Sequence, residues 1–192
     1  MNIAESPLKG LYIITPKIHE DSRGYFFESF RSNSFKSNSI PTEFVQENQS
    51  LSTKGTLRGL HYQLNFPQGK LVWVTKGCVI DIAVDIRKNS PTFGRSFCIT
   101  LDDKKHVRFY IPPGFAHGFF VLSDIAIFQY KCTEYYHPED EYGINWNDKN
   151  LEIDLGDDNK TFSKKMNCSQ SLVKWTIIFY HNLTNLIYYD FY

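Results

Sequence analysis

Four short segments of this chain gather the residue types that move protons or hold anions: Asp21-Ser22-Arg23-Gly24-Tyr25-Phe26-Phe27-Glu28, Gln46-Glu47-Asn48, Arg58-Gly59-Leu60-His61-Tyr62-Gln63 and Pro112-Pro113-Gly114-Phe115-Ala116-His117-Gly118-Phe119. An imidazole titrates near neutrality, so His61 suits a general base. A phenol is neutral at pH 7 and can hand a proton back, which suits Tyr130 to a general acid. An ammonium such as that of Lys70 stabilises an oxygen that becomes negative during a reaction. Guanidinium groups fit phosphate oxygens as a bidentate fork, and Arg23 and Arg58 offer two of them. The step His61-Tyr62-Gln63 supplies one imidazole and no carboxylate in register, so this segment does not build a three-ligand metal site.

Such groups need rigid elements to hold them, and through the middle of the chain those elements have period two. Ile80, Ile82, Val84 and Ile86 alternate with Asp81, Ala83 and Asp85, the pattern of a half-buried strand over residues 79–86. Gly77 ends a preceding strand at 71–75, and further short strands read at 96–101, 107–111, 118–121 and 125–131. Ser90-Pro91-Thr92, Asp102-Asp103 and Ser123-Asp124 punctuate them as turns. Residues 50–135 show no sustained 3.6-residue period, and only 32–39 and the stretch near 138–141 read as helix. Many short antiparallel strands with polar turns predict an all-β sandwich or barrel, whose closure hides strand edges.

Composition narrows the function classes. The 192 residues are 42% hydrophobic and 22% charged, as in a globular chain, and 16% aromatic, which favours strands. Twenty-one basic and twenty-one acidic residues cancel, so no global field steers the protein to nucleic acid or to an anionic membrane. Cys78, Cys98, Cys132 and Cys168 form no C-x-x-C pair, and the N-terminal residues lack a basic and an apolar signal region. The expectation is a cytoplasmic protein with reduced thiols. Lys174, His181 and Asp190 interrupt the apolar stretch from Leu172 to Tyr192, which argues against a membrane span. The polar link Gly156-Asp157-Asp158-Asn159-Lys160 divides the chain into a domain at 1–160 and a C-terminal tail at 161–192.

The P-x-G-x-x-H run at 112–117 fits the second sequence motif of the cupin jelly rolls, in which a Pro/Gly turn delivers a histidine onto an inward-facing strand. Taken with Gln68-Gly69-Lys70-Leu71, Val84-Asp85-Ile86-Arg87, Ser90-Pro91-Thr92-Phe93-Gly94, Tyr130-Lys131-Cys132-Thr133 and Tyr135-Tyr136, the chain resembles the dTDP-4-dehydrorhamnose 3,5-epimerase family over residues 7–155. The resemblance implies an all-β cupin jelly roll with few short helices. It also implies a homodimer made by exchange of an N-terminal strand, and a dTDP-4-keto-6-deoxy sugar in the barrel mouth, with no metal and no dissociable cofactor. The implied reaction turns dTDP-4-dehydro-6-deoxy-D-glucose into dTDP-4-dehydro-L-rhamnose. Hydrogens on C3 and C5 are acidified by the C4 carbonyl, so inversion needs a base on one face, an enolate stabiliser and an acid on the other face. His61, Lys70 and Tyr130 match these three roles. Arg23, Arg58 and Lys165 match diphosphate contacts, and Tyr136 matches the position that stacks on thymine. Phe26, Glu28, Gln46, Asn48, His117 and Glu141 match the remaining ligand positions. His19, His106, His137 and His181 match none and read as solvated or incidental.

The chain departs from the family pattern near its end. A segment of the form L-S-x-K-D, whose Asp pairs with the catalytic His, reads here as Phe162-Ser163-Lys164-Lys165-Met166, and Leu155-Gly156 stands where W-P is expected. Met166 cannot accept an imidazole hydrogen bond as a carboxylate does. Asp157 or Asp158 would have to substitute by rerouting the loop. Two rival readings follow: a homologue that binds dTDP-sugars but turns them over poorly, and a relative that inverts one carbon or acts as a ketoisomerase.

Overall fold

Period-two alternation becomes strand throughout the middle of the computed structural model, which describes residues 1–146 together with Asp148, Leu151 and Ile153. In chain order the strands are β1 (Asn2–Glu5), β2 (Tyr12–Thr15), β3 (Ile18–Asp21), β4 (Gly24–Phe27), β5 (Gln46–Thr53), β6 (Leu57–Gln63), β7 (Lys70–Lys76), β8 (Cys78–Asp85), β9 (Ser96–Asp102), β10 (Arg108–Ile111), β11 (Phe115–Val121), β12 (Ile125–Cys132) and β13 (Glu141–Gly143). A short helix, α1 (Ser32–Ser37), and a 3-10 turn at Pro138–Asp140 fall where helix was expected. A six-stranded sheet has the order β1-β2-β10-β7-β12-β5 and a five-stranded sheet the order β13-β6-β11-β8-β9. Every paired strand is antiparallel, and β3–β4 stands apart as a hairpin. The all-β jelly roll expected from the sequence is what the chain forms.

The main core fills the space between the two sheets with Val72, Val74, Val79, Ala83, Phe109, Phe119, Phe128 and their neighbours. Ile80, Ile82, Val84 and Ile86 point the other way, into a second cluster behind the five-stranded sheet with Leu60, Phe120 and Leu151. That covering corrects the half-buried reading of β8. Asp81 and Asp85 are both fully buried, because one side of the strand faces the barrel interior and the chain after β13 shields the other. A third cluster, with Phe35 of α1, Ile14, Trp73 and Tyr110, covers the outer face of the six-stranded sheet.

Two polar devices fix the ends of β8. At Gly77 the backbone takes φ +85°, and a Cβ would collide with the Ile125 carbonyl oxygen, so glycine is required at the entry. At the exit, Asp85 accepts hydrogen bonds from the Arg87 guanidinium at 2.8 and 2.9 Å and from the Ser90 and Thr92 hydroxyls at 2.6 Å each. Burial pushes the Asp85 carboxyl up, and these donors outweigh it and hold the carboxyl below its ordinary value. The V-D-I-R and S-P-T-F-G motifs are therefore a turn that shapes the barrel.

Of the two readings given to His106, solvated or incidental, burial excludes the first. The residue is 8% exposed in a left-handed backbone conformation, with its ring 4.6 Å from that of Tyr25 and 4.7 Å from that of Phe27. It packs the β3–β4 hairpin against the β9–β10 connection. His137 is also partly covered, its ring stacked 4.0 Å from Phe66, while His19 is exposed as expected. His181 and the tail lie outside the described residues.

Candidate active site

The five-stranded sheet contributes two histidines. His61 on β6 and His117 on β11 are direct cross-strand partners, and the ladder shifts just beyond them, between His117 and Phe119. Close approach of the two strands requires Gly118, where a Cβ would collide with the Arg58 carbonyl oxygen. His117 is 7% exposed, and its Nε2 lies 2.9 and 3.0 Å from the two carboxylate oxygens of buried Asp81 on the adjacent strand β8. The imidazole of His61 is half-exposed at the open end of the barrel, with Nδ1 3.4 Å from Oε1 of Glu141 at the start of β13.

The six-stranded sheet faces them with Lys70, the first residue of β7, and Tyr130 of β12. Lys70 is the cross-strand partner of Cys132, and Tyr130 is that of Asn48 on β5. Alternation along β5 turns Gln46, Asn48, Ser50 and Ser52 away from solvent, while Glu47, Gln49 and Leu51 are exposed. This polar inner face continues into Arg58, whose Nε donates to Ser52 Oγ at 2.9 Å.

Hydrogen bonds tie these positions into one rim. Tyr136 donates its hydroxyl to Glu141 Oε2 at 2.8 Å, and its backbone N–H goes to Gln46 Oε1 at 2.9 Å. Gln46 Nε2 in turn donates to Asn48 Oδ1 at 3.1 Å. Behind the rim, Gln63 donates to the carbonyls of Phe66 and Tyr135 and accepts from the His137 N–H. Buried Asp140 accepts from the backbone N–H groups of Asn65 and Phe66 and from the Asn65 amide. The loops after β6 and after β12 are thereby locked together.

The electrostatics suit proton transfer. Burial pushes His61 below its ordinary 6.5; Glu141 opposes this, while Lys70 and His117 add to it. Burial also lowers Lys70, against the pull of Cys132, Glu141 and Asp81. The Tyr130 phenol is raised by burial and by Cys132, although its hydrogen bond with Asn48 acts the other way. Cys132 itself is pushed up to about 11 by burial, so it stays a thiol beside the lysine. Among the described residues, no group of three or more His, Cys, Asp and Glu side chains is placed to hold a metal ion.

Of the residues singled out in the sequence, His61, Lys70, Tyr130, His117, Gln46, Asn48, Arg58, Tyr136 and Glu141 converge on this open end. Arg23, Phe26 and Glu28 do not join them within this chain. Arg23 pairs with Asp21 at 2.6 Å, Glu28 pairs with Arg31 at 2.7 Å, and Phe26 is 73% exposed on the hairpin. Lys165, Met166, Asp157 and Asp158 lie outside the described residues. Asp81 and Asp140 were given no site role in the sequence, and Gln63 was read there only as part of the His61-Tyr62-Gln63 step. A carboxylate inside an otherwise apolar strand, as in Ile80-Asp81-Ile82, was the available signal for the first.

Comparison with known proteins places the whole chain. Residues 5–173 match the profile of the family described as dTDP-4-dehydrorhamnose 3,5-epimerase. A dTDP-4-dehydrorhamnose 3,5-epimerase of Methanothermobacter thermautotrophicus is 50% identical over 150 residues, covering 78% of this chain and 81% of that protein. The Escherichia coli protein of the same name is 48% identical over 156 residues, covering 80% and 84%. The crystal structure of dTDP-6-deoxy-D-glucose-3,5-epimerase from Legionella pneumophila in complex with dTDP-4-keto-L-rhamnose superposes with a TM-score of 0.76 at 52% identity, covering 80% of this chain and 82% of that one.

Proposed function

The chain belongs to the dTDP-4-dehydrorhamnose 3,5-epimerase family, and from that membership we propose how its barrel mouth epimerises dTDP-4-dehydro-6-deoxy-D-glucose to dTDP-4-dehydro-L-rhamnose. The observation that carries the assignment of roles is the placement of the proton-transfer groups on opposite sheets. His61 comes from the five-stranded sheet, whereas Tyr130 and Lys70 come from the six-stranded one. A sugar ring held between the sheets shows one face to each. His61 removes the proton from C3 and, in a second turn of the same chemistry, from C5. Electron density moves to the C4 oxygen, where the Lys70 ammonium stabilises the enolate. Tyr130 then protonates the carbon from the opposite face, and the centre is inverted.

The nucleotide end follows the rim. Tyr136 offers its ring to the base, Arg58 binds the diphosphate together with Arg23 and Lys165, which the resemblance adds from outside this rim, and Gln46, Asn48, His117 and Glu141 contact the ligand. Arg23 and Phe26 sit on an exposed hairpin with Tyr25, and Glu28 follows it directly, a surface suited to contact with another chain. The N-terminal strand β1 forms an edge of the chain's own six-stranded sheet, the position from which the exchange with a second copy that the resemblance implies would be made. Both features support the reading of a homodimer.

Turnover of dTDP-4-dehydro-6-deoxy-D-glucose in deuterated water, followed by NMR, tests the reaction. Deuterium at both C3 and C5 of an L-configured product is expected. Exchange at one carbon alone indicates a mono-epimerase, and dTDP binding without exchange indicates a homologue that binds without turnover.

A further inference from the structure

We propose that Glu141 is the carboxylate that orients His61 in this chain, with the Tyr136 hydroxyl clamping it. The inference rests on the reading of His61 as the base. The resemblance places the orienting acid near residue 166, and Met166 cannot serve there. The open end of the barrel offers another carboxylate. Glu141 Oε1 stands 3.4 Å from His61 Nδ1, while Oε2 accepts the Tyr136 hydroxyl at 2.8 Å. The 3.4 Å contact is long for a finished hydrogen bond, and such contacts commonly tighten when substrate closes a site. Both partners sit on regular structure: β13 pairs with β6 so that Glu141 opposes Gln63 and Gly143 opposes His61. Among the described residues, the other charged groups that bear on His61 are Lys70 from β7 and His117 from β11, which both disfavour its protonation, and Glu141 is the one that favours it.

The geometry defines a division of labour within the imidazole. A carboxylate at Nδ1 holds the N–H on that atom and leaves the Nε2 lone pair to take the substrate proton. It also stabilises the imidazolium that results. The Tyr136 clamp fixes one carboxylate oxygen and so aims the other. Tyr136 is held in turn by its backbone bond to Gln46, which ties this orientation to the ligand rim.

Nitrogen-15 NMR of the His61 ring, read beside steady-state kinetics, tests the assignment in the full chain. Glu141→Gln keeps the shape and removes the charge. The His61 pKa is expected to fall, the acid limb of kcat/KM is expected to move to lower pH with it, and kcat is expected to drop at least about tenfold, beyond any change that the lost ligand contact makes in KM. Glu141→Asp should recover part of the loss, and Tyr136→Phe should produce a smaller change in the same direction. A His61 pKa unmoved in Glu141→Gln, or a loss confined to KM, overturns the proposal and leaves Glu141 as a ligand contact. His61→Asn separates the two levels of the argument. If that variant keeps turnover, the assignment of the base is wrong; if it is inactive while Glu141→Gln is unaffected, only the role of Glu141 is wrong.

Discussion

His61 must be neutral to act as a base, and its burial holds its pKa below 6.5. Activity therefore rises with pH through a value under 6.5. On the alkaline side two protonated groups are required. Burial lowers Lys70 from 10.5 and raises Tyr130 from 10.0, which draws their titrations toward and away from neutrality respectively, and loss of either proton ends activity at high pH. A kcat/KM profile with its acid limb below 6.5 and a broad plateau above it is expected, and an acid limb centred above neutrality would contradict the assignment. The residues behind this profile were legible in the sequence, because a lone imidazole, a lysine and a tyrosine stood inside segments whose neighbours also matched. Asp81 was not legible in the same way. It occupies the polar phase of a strand read as half-buried, and only the fold shows that both faces of that strand are covered.

Central strands announced themselves by alternation, and the expected segments at 71–75, 79–86, 96–101, 107–111, 118–121 and 125–131 coincide with β7 to β12 within a few residues. The strands that carry much of the rim were harder to see. β5 reads Gln-Glu-Asn-Gln-Ser-Leu-Ser-Thr because its inner face lines a polar mouth, so apolar periodicity was absent where function was densest. β6 is shaped by its close pass over β11, which demands small residues at Gly59 and Gly118. A Cβ on Gly59 would stand 2.5 Å from the Gly118 Cα and 2.6 Å from the His117 carbonyl oxygen. Gly118→Ala is accordingly expected to destabilise the protein by about 1–3 kcal/mol, as overpacked interiors do, and to separate His61 from His117. Urea unfolding of the variant checks the first effect and the His61 ring resonances check the second. A variant of unchanged stability would show that the two strands can part without cost.

Across the whole molecule, two sheets closed around one core leave a polar, open end, and the neutral overall charge leaves anion recognition to local groups such as Arg58. The β3–β4 hairpin departs from this economy, since Tyr25 and Phe26 are 58% and 73% exposed. Sedimentation is expected to give twice the 22.5 kDa chain mass, and Phe26→Asp is expected to weaken that association. A monomer at working concentration would remove the hairpin from the account of assembly. The central claim, that His61 on one sheet removes the proton and Tyr130 on the other returns it, is tested most directly by following deuterium in the sugar by NMR. His61→Ala should lose uptake at both C3 and C5 by about 10²–10⁴-fold while dTDP still binds, whereas Tyr130→Phe should keep exchange and lose inversion. Uptake in His61→Ala above about a tenth of the wild-type rate, or exchange and inversion falling together in Tyr130→Phe, would contradict it.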